Sequence, residues 1–288
     1  MTVPHDRPTL KVAVPNKGSL SESAIQMLRE AGYRQRGDSK ELVLVDQANH
    51  IEFYYLRPRD IAVYVGSGTL DVGITGRDML LDSGAEATEV LSLGFGATRF
   101  HFAEPAGSGN TVAGLAGKRI ATSYTGLVAR HLAEQGIEAE LVHLDGAVES
   151  AIRLGVADVI ADVVETGRTL RQAGLELFGD TILRSEAILI QRDGSTHPGL
   201  EPLMRRLSGV MVARNFVMMD YDIAGDLVEQ AIAVTPGLES PTVSPLAREG
   251  WFAVRAMVER ASAHSVMDDL WELGARGVLV TDIAACRL

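Results

Sequence analysis

The stretch GVADVIADVVETGRTL, residues 155–170, has the pattern of a buried strand that enters a helix through a glycine turn. No side chain larger than Val or Ile separates its acids, which is typical of a buried strand. Gly167 lets the backbone approach a ligand closely, and Thr166 and Thr169 add hydroxyl donors beside it. The stretch therefore predicts a βα unit whose turn binds a phosphate.

Two acids of this turn, Asp162 and Glu165, are poor partners for a phosphate because all these groups carry negative charge. They suit ribose hydroxyls or a bound Mg²⁺ instead. An alternative interpretation is that Thr-Gly-x-Thr is a helix N-cap after a turn, a common pattern that needs no ligand. The stretch alone leaves both interpretations open.

The chain before this stretch alternates between strand and helix patterns. Residues 10–15 are apolar and run through Asn16-Lys17-Gly18-Ser19 into a helix whose apolar residues recur at helical spacing. The next predicted elements are strands near 41–46, 51–56 and 70–75, a helix near 58–66 and further strands to about 103. The class is α/β, and we predict a first lobe from residues 1–103 and 186–210.

A second alternating set follows the Gly- and Pro-containing stretch at 104–110. It is predicted to form a second lobe over residues 104–185, with a helix from Gly146. A strand at 186–191 is expected to return to the first lobe, as in two-lobed binding proteins. The cleft between the lobes is the expected ligand site.

The last part, residues 211–288, changes to a βαββαβ pattern, which is ferredoxin-like. It begins with a strand predicted near 211–221 and a helix predicted at 222–232. Small domains of this form often bind amino acids or pair with their own copies, but the fold alone assigns no function.

The composition excludes several classes of protein. The formal charge of −11 over 288 residues disfavours a nucleic-acid partner, and no run of about 18 apolar residues predicts a membrane span. The N-terminus has no export signal, and the lone Cys286 excludes a disulfide framework, so we expect a cytoplasmic protein. The seven histidines show no metal-ligand spacing.

Basic residues and glycines crowd the strand–helix turns of the first lobe, as a ligand cleft requires. Arg57, Arg59 and Arg77 stand at these turns, although each is equally suited to pair with nearby surface acids. Glu149 follows a predicted strand and is expected to point into the same cleft, although a glutamate in a first helical turn also complements the helix dipole.

Taken together, these motifs resemble the long form of ATP phosphoribosyltransferase, the first enzyme of histidine biosynthesis. The resemblance spans the chain from about residue 10 to the C-terminus, with the motifs in the family's order. The segments that carry it are VPNKG (14–18), LRPRDI (56–61), LDVGITGRD (70–78), DGAVE (145–149), ADVIADVVETGRTL (157–170) and TPGLESPT (235–242).

The resemblance implies a two-lobed, periplasmic-binding-protein-like catalytic part and a ferredoxin-like regulatory domain that binds L-histidine. The implied reaction joins a ring nitrogen of the adenine of ATP to phosphoribosyl pyrophosphate, releases pyrophosphate and requires Mg²⁺. AMP is a further expected ligand, as an inhibitor, and the family pattern implies a homo-hexamer built from dimers.

The family's functional residues carry over by motif. The phosphoribosyl pyrophosphate loop would comprise Glu165, Thr166, Gly167, Arg168 and Thr169, and the catalytic acids would be Glu149, Asp158 and Asp162. The opposite wall, for ATP, would comprise Lys17, Arg57, Gly73, Gly76, Arg77 and Asp78. The histidine effector would meet Asp222, Leu238, Ser240 and Thr242; no metal ligand is assigned.

Two positions depart from the family pattern. Family members often carry Ser or Gly in place of Glu165, and a Tyr-Pro-Asn sequence in place of Tyr124-Thr125-Gly126. Two rival functions stay open: a two-lobed cytosolic sensor without catalysis, disfavoured by the paired phosphate turn and basic wall, and a salvage phosphoribosyltransferase, which would be a single smaller domain.

Overall fold

The structure is a computed structural model that describes residues 8–287, and its chain forms two compact units. The first unit extends to residue 202 apart from residues 30–32, which belong with the second unit from residue 203 onward. The N-terminal segment used for the export-signal prediction lies almost wholly outside the described residues.

The first sheet of the first unit has six strands in the order β2-β3-β1-β4-β11-β5. Its central strands β1 and β4 are almost wholly buried, which explains their continuous apolar sequence. The strands are β1 (Leu10–Pro15), β2 (Val43–Asp46), β3 (Ile51–Leu56), β4 (Val72–Gly76), β5 (Ala87–Ser92) and β11 (Ala187–Arg192). The helices between them are α1 (Ser19–Glu30), α2 (Pro58–Gly66) and α3 (Arg77–Ser83).

The second sheet has five strands in the order β10-β6-β9-β7-β8, with β7 parallel to β8 and β9. Its strands are β6 (Thr98–Pro105), β7 (Arg119–Thr122), β8 (Glu140–His143), β9 (Val159–Val164) and β10 (Leu175–Ser185). Its helices are α4 (Thr125–Glu134) and α5 (Arg168–Gln172).

The chain passes between the two sheets twice, from β5 to β6 and back from β10 to β11. The return of β11 to the first sheet agrees with the strand predicted at 186–191. Strand β6 begins within the range predicted for the first lobe, but it pairs with β9 and β10 of the second sheet. The predicted helix from Gly146 is only a 3₁₀ turn over Val148–Ser150.

The second unit contains a four-stranded sheet in the order β13-β14-β12-β15, with two helices, which is the ferredoxin-like arrangement. Its elements are β12 (Phe216–Ala224), α7 (Val228–Val234), β13 (Thr242–Pro245), β14 (Trp251–Glu259), α8 (Ala263–Leu273) and β15 (Arg276–Asp282). The order of elements along the chain is the predicted βαββαβ.

The start of this part differs from the prediction. Helix α6 (Leu200–Asn215) runs across residue 210, and β12 begins only at Phe216. Its buried Leu203, Leu207 and Val210 recur at helical spacing, so the apolar residues near 211 continue a helix rather than start a strand. Asp222, predicted to begin a helix, therefore lies within β12. In the described part of the chain, no helix has the length and apolarity that a membrane crossing requires.

Candidate functional site

A cavity of about 660 Å³ lies where strands and helices of the first unit's two sheets meet. Lys17 follows β1 and Arg57 follows β3, so both side chains stand at the ends of parallel strands, where α/β sheets bind ligands. The lining residues are Lys17, Gly18, Arg57, Pro58, Arg59, Asp60, Met79 and Asp145. The structure thus brings two of the predicted wall residues to one cavity.

The two glycines of the predicted wall act within the packing of the first sheet. A Cβ at Gly73 would overlap Ile61 of α2, so this glycine lets α2 lie close to β4. A Cβ at Gly76 would overlap the carboxylate of Asp78, which folds back over the start of α3. Both glycines therefore permit close packing next to the wall, and neither lines the cavity.

Asp78 is buried and is held by Ser185, the last residue of β10. The Ser185 hydroxyl donates to Oδ1 of Asp78 over 2.8 Å and accepts from the Asp78 backbone N–H over 3.0 Å. Only 5% of each residue is exposed. The carboxylate is consequently fixed by a residue of the chain crossing between the two sheets.

The Arg77 guanidinium is held by several protein groups. Its guanidinium makes a paired contact with Glu89, at 2.8 Å for each nitrogen, and also reaches Glu186 at 3.2 Å. Another nitrogen donates to the carbonyl of Arg184. The hydrogen bonds with Glu89 are the main reason that the pKa of Arg77 is raised. Arg77 therefore joins β5 and β10 to Glu186, the residue before β11, which is the alternative role that the sequence left open for it.

The predicted phosphate turn follows β9, as the sequence indicated. Gly167 adopts a left-handed conformation with φ of 68°, and α5 starts at the next residue. Thr166 and Thr169 are exposed, as are Glu165 and Arg168. The turn is stabilised from within by Arg171, which donates to the Thr166 carbonyl over 3.1 Å. The Thr166 hydroxyl also accepts from the Arg168 backbone N–H over 3.4 Å, whereas the exposed Thr169 hydroxyl has no recorded hydrogen bond in the described chain.

A group of acids lies near the end of β9. Burial raises the pKa of Asp162 to about 6; the backbone N–H of Val163 opposes this rise, and the charges of Glu149 and Asp78 add to it. Burial, with a smaller effect of Asp78, also raises the pKa of Tyr124. Carboxylates from both sheets therefore lie close enough to Asp162 to act on its charge.

Asp158 is not part of this group. It precedes β9, at the end of the strand opposite to the phosphate turn, and its carboxylate pairs with Arg119 at 2.8 Å. The hydrogen bonds from Arg119 lower the pKa of Asp158. The contacts of Asp158 are those of a structural residue that joins β9 to β7.

A contact that the sequence did not predict joins the two sheets' helices. The Asp82 carboxylate of α3 accepts from the Leu127 backbone N–H of α4 over 3.1 Å and pairs with Arg59 over 3.2 Å. The Arg59 guanidinium also stacks over the Tyr124 ring, 4.3 Å from its centroid. A Cβ at Gly126 would overlap the Asp82 carbonyl, so the glycine at this departure from the family pattern permits the close approach.

The predicted effector residues lie in the second unit. Asp222 is directly paired with Ala253 of β14, and Thr242 with Arg255 of the same strand. Alternation along β12 and β14 puts Asp222 and Thr242 on the sheet face opposite to the core residues Tyr221 and Val254. The other two predicted residues, Leu238 and Ser240, are exposed in the segment before β13.

Within residues 8–287 no group of three or more His, Cys, Asp or Glu side chains is arranged to hold a metal ion. Such a cage is not needed for Mg²⁺, which proteins often hold through one or two carboxylates together with substrate phosphates. Asp162 and Glu149 provide this donor set beside the phosphate turn. The acids of the cleft therefore fit a magnesium ion that is bound together with a phosphorylated substrate.

The fold and the site define a two-lobed α/β protein with a polar ligand cleft, followed by a ferredoxin-like domain. Residues 57–209 match the family described as HisG, ATP phosphoribosyltransferase, and residues 213–285 match the family described as the HisG C-terminal domain.

Full-length relatives agree with the family matches. The proteins named ATP phosphoribosyltransferase from Pseudarthrobacter chlorophenolicus and Kocuria rhizophila are 63% and 64% identical, over 97% of this chain and 100% of theirs. A solved HisG:HisZ complex from Thermotoga maritima matches with a TM-score of 0.61 and 27% identity, covering 70% of this chain and 98% of that one. The chain belongs to the ATP phosphoribosyltransferase family, which confirms the resemblance, the predicted fold and the prediction that it is an enzyme.

Proposed function

We propose that the chain transfers the phosphoribosyl group of phosphoribosyl pyrophosphate to a ring nitrogen of the adenine of ATP. In this reaction the nitrogen–C1 bond forms as the bond from C1 to the pyrophosphate oxygen breaks, and pyrophosphate leaves with the electron pair. The observation that carries the proposal is the pairing of a phosphate-type turn at Gly167 with a basic cavity, lined by Lys17 and Arg57, in one unit.

The proposed division of the site follows from charge. The turn over Thr166–Thr169 would hold the ribose phosphate through backbone N–H groups and hydroxyls. Lys17, Arg57 and Arg59 would meet the polyphosphate of ATP, because they are the cations that line this cavity. Asp158 has no part in this site, since its carboxylate is engaged with Arg119 at the far end of β9.

Asp162 is proposed to act on the reacting groups. Positive charge develops on the ribose carbon and then on the adenine ring, which becomes neutral by losing a proton. A carboxylate with a pKa of about 6 is mostly ionised at neutral pH, so it can stabilise this charge and accept the proton. Glu149, close to Asp162, would bind ribose hydroxyls. Magnesium, when bound with the substrate, would neutralise charge on the departing pyrophosphate.

The test is a pyrophosphate-release assay with ATP, phosphoribosyl pyrophosphate and Mg²⁺, which also follows the ultraviolet absorbance of the adenine adduct. We expect release only when both substrates are present. Release from phosphoribosyl pyrophosphate without ATP would contradict the proposed transfer, and no release at all would favour a sensor.

The phosphate turn is tested separately with Gly167→Ala and Thr169→Ala. Alanine at Gly167 has to adopt a φ of 68°, which is strained for a residue with a Cβ, and the second variant removes an exposed hydroxyl. Both should raise the KM for phosphoribosyl pyrophosphate substantially while the protein stays folded. Unchanged KM values in both variants would remove the phosphate-turn assignment.

The second unit is proposed to bind L-histidine and to reduce activity when it does so. Asp222 supplies a carboxylate for the cationic amine or imidazole of histidine, and Thr242 supplies a hydroxyl on the same sheet face. The assay above, repeated with histidine, tests this idea, and activity that is independent of histidine would remove it.

We also propose that AMP inhibits the enzyme, that the protein is cytoplasmic and that it forms a homo-hexamer built from dimers. The exposed Leu279 and Val280 of β15 offer apolar surface for contacts between copies. Light scattering that finds only monomer at assay concentrations would contradict the hexamer.

A further inference from the structure

Two arginines in the second sheet face each other without a carboxylate partner. Arg99 of β6 and Arg184 of β10 are directly paired residues in an antiparallel register, so their side chains leave the same face of the sheet about 5 Å apart. Like charges in this position are unfavourable. Both side chains are exposed, and among the described residues neither guanidinium has a recorded hydrogen bond or ion pair.

The surroundings of this pair form a cavity of about 370 Å³. Arg99, Arg184, Thr98 and Glu165 contribute to its lining, and Arg99 is also directly paired with Val164, the last residue of β9. The cavity therefore borders the start of the phosphate turn. It is distinct from the cavity lined by Lys17 and Arg57.

The other charged groups of the cavity do not neutralise the two arginines. Glu186 is engaged by Arg77, Ser92 and the backbone N–H of Gly94. Glu165 is exposed and has no recorded ion pair in the described chain. Arg77 also lines the cavity, but its charge is paired with Glu89 and Glu186.

A buried histidine lies beside the pair on the same face. His101 is two residues from Arg99 along β6, and its Nε2 contacts the Thr181 hydroxyl at 3.0 Å. Its Nδ1 is buried without a partner among the described residues. Burial, and after it the charges of Arg99 and Arg184, lower the pKa of His101, which agrees with the position of both arginines near its ring.

We propose that Arg99 and Arg184 form a binding site for a diphosphate-type group, next to the phosphate turn and outside the residues that the family motifs mark. The two guanidinium forks present ten unused N–H donors, which suit the oxygens of two linked phosphoryl groups. The ligand also removes the repulsion between the two cations, which is why the protein tolerates them in directly opposed positions.

Under the proposed function, two substrates carry such a group: phosphoribosyl pyrophosphate through its pyrophosphate, and ATP through its triphosphate. The existence of the site does not depend on the transfer reaction; only the choice between these sources does. Binding of inorganic pyrophosphate and turnover are separate measurements, so failure of one leaves the other interpretable.

The experiment is isothermal titration calorimetry of the full chain with inorganic pyrophosphate in magnesium-free buffer. Arg99→Gln and Arg184→Gln should each weaken binding by about tenfold or more, and the double variant should lose saturable binding. Arg153→Gln is the matched control, because Arg153 is exposed in the same part of the chain and does not line this cavity. Glu165→Gln should strengthen binding, since it removes a negative charge from the lining.

Three further measurements sharpen the result. The melting temperature of ligand-free Arg99→Gln or Arg184→Gln should hold or rise, because repulsion is relieved. If a Gln variant does not fold, the Lys variant keeps the charge but loses the planar fork, and it should still bind pyrophosphate more weakly. Separate titrations with phosphoribosyl pyrophosphate and with ATP identify the source of the bound group. The substrate whose affinity falls in the double variant is the one that this site binds. Pyrophosphate affinity equal in wild type, both arginine variants and the control overturns the site.

Discussion

The acids of the cleft and the acid of the proposed effector site are held in opposite ways. Asp78 is 5% exposed and receives its hydrogen bond from Ser185, whereas Asp222 lies on an open sheet face with no recorded side-chain hydrogen bond in the described chain. A carboxylate fixed before the ligand arrives loses little entropy on binding. The comparison indicates that the cleft is preorganised for a reaction, and that the effector face is suited to a reversible ligand.

The largest effect should come from removing the charge of Asp162. Asp162→Asn should lower kcat by about 100-fold or more, because the amide neither accepts the proton nor stabilises the developing charge. In the wild type, kcat should fall as the pH drops through about 6, where Asp162 becomes protonated. A kcat within threefold of wild type in the variant would contradict the role.

The same substitution should stabilise the protein. The folded-state pKa of Asp162, about 6, lies above its ordinary value of 3.8, so the folded state binds the extra proton more tightly than the unfolded state does. Ionised Asp162 therefore lowers the free energy of unfolding above pH 6, and this destabilisation vanishes below about pH 4. Asp162→Asn should gain up to about 2 kcal/mol at pH 7.5 in urea unfolding, and less at pH 5. An equal gain at both pH values would reject this origin.

Separating the helices at Asp82 should have the next largest effect. Gly126→Ala places a Cβ against the Asp82 carbonyl, so α3 and α4 have to move apart, at a cost of about 1–3 kcal/mol. The shift should also weaken the Arg59 contact with Asp82 and raise the KM for ATP. Gly37→Ala is the control, because its Cβ meets nothing within 4 Å. Equal unfolding free energies for the two variants would contradict the close approach.

Loosening Asp78 tests the comparison directly. Ser185→Ala leaves this buried carboxylate without its hydroxyl donor, at a cost of about 1–2 kcal/mol in unfolding free energy. Ser108→Ala removes an exposed serine and should change stability by less than about 0.5 kcal/mol. If Ser185→Ala unfolds like Ser108→Ala, the cleft acid is not held as described.

The smallest effect on turnover should come from the effector face. Asp222→Asn and Thr242→Ala should leave the reaction without histidine within about twofold of wild type, while the histidine concentration for half inhibition rises about tenfold or more. Ser265→Ala is the control, because Ser265 is an exposed residue of α8, which packs on the opposite face of the sheet. Inhibition unchanged in both variants would move the effector site elsewhere.

The sequence was sufficient for the features that repeat locally. Strand and helix periodicity predicted most elements, the βαββαβ order of the second unit and the turn at Gly167, because each depends on residues close together in the chain. The strand predicted near residue 211 was wrong, because a short apolar segment has the same composition in a helix and in a strand. The spacing of Leu203, Leu207 and Val210 is that of a helix.

The long-range contacts were beyond the sequence. Nothing in the sequence near Asp82 indicates that its carboxylate accepts from a backbone N–H of α4. Arg77 belongs to a family motif, but its guanidinium holds strands together. One signal was present: the departure at Gly126 marks a point where the two helices approach closely. The opposition of Arg99 and Arg184 requires the strand register, which only the structure supplies.

The opposed arginines make the ligand-free protein sensitive to ionic strength. Dissolved salt screens repulsion between exposed charges, so raising it from low values should stabilise the empty protein. The same screening weakens the attraction between these guanidinium groups and a bound polyanion. Salt therefore stabilises the empty protein and also weakens ligand binding. The difference in melting temperature between the loaded and the empty protein should decrease as salt increases and approach zero at high ionic strength.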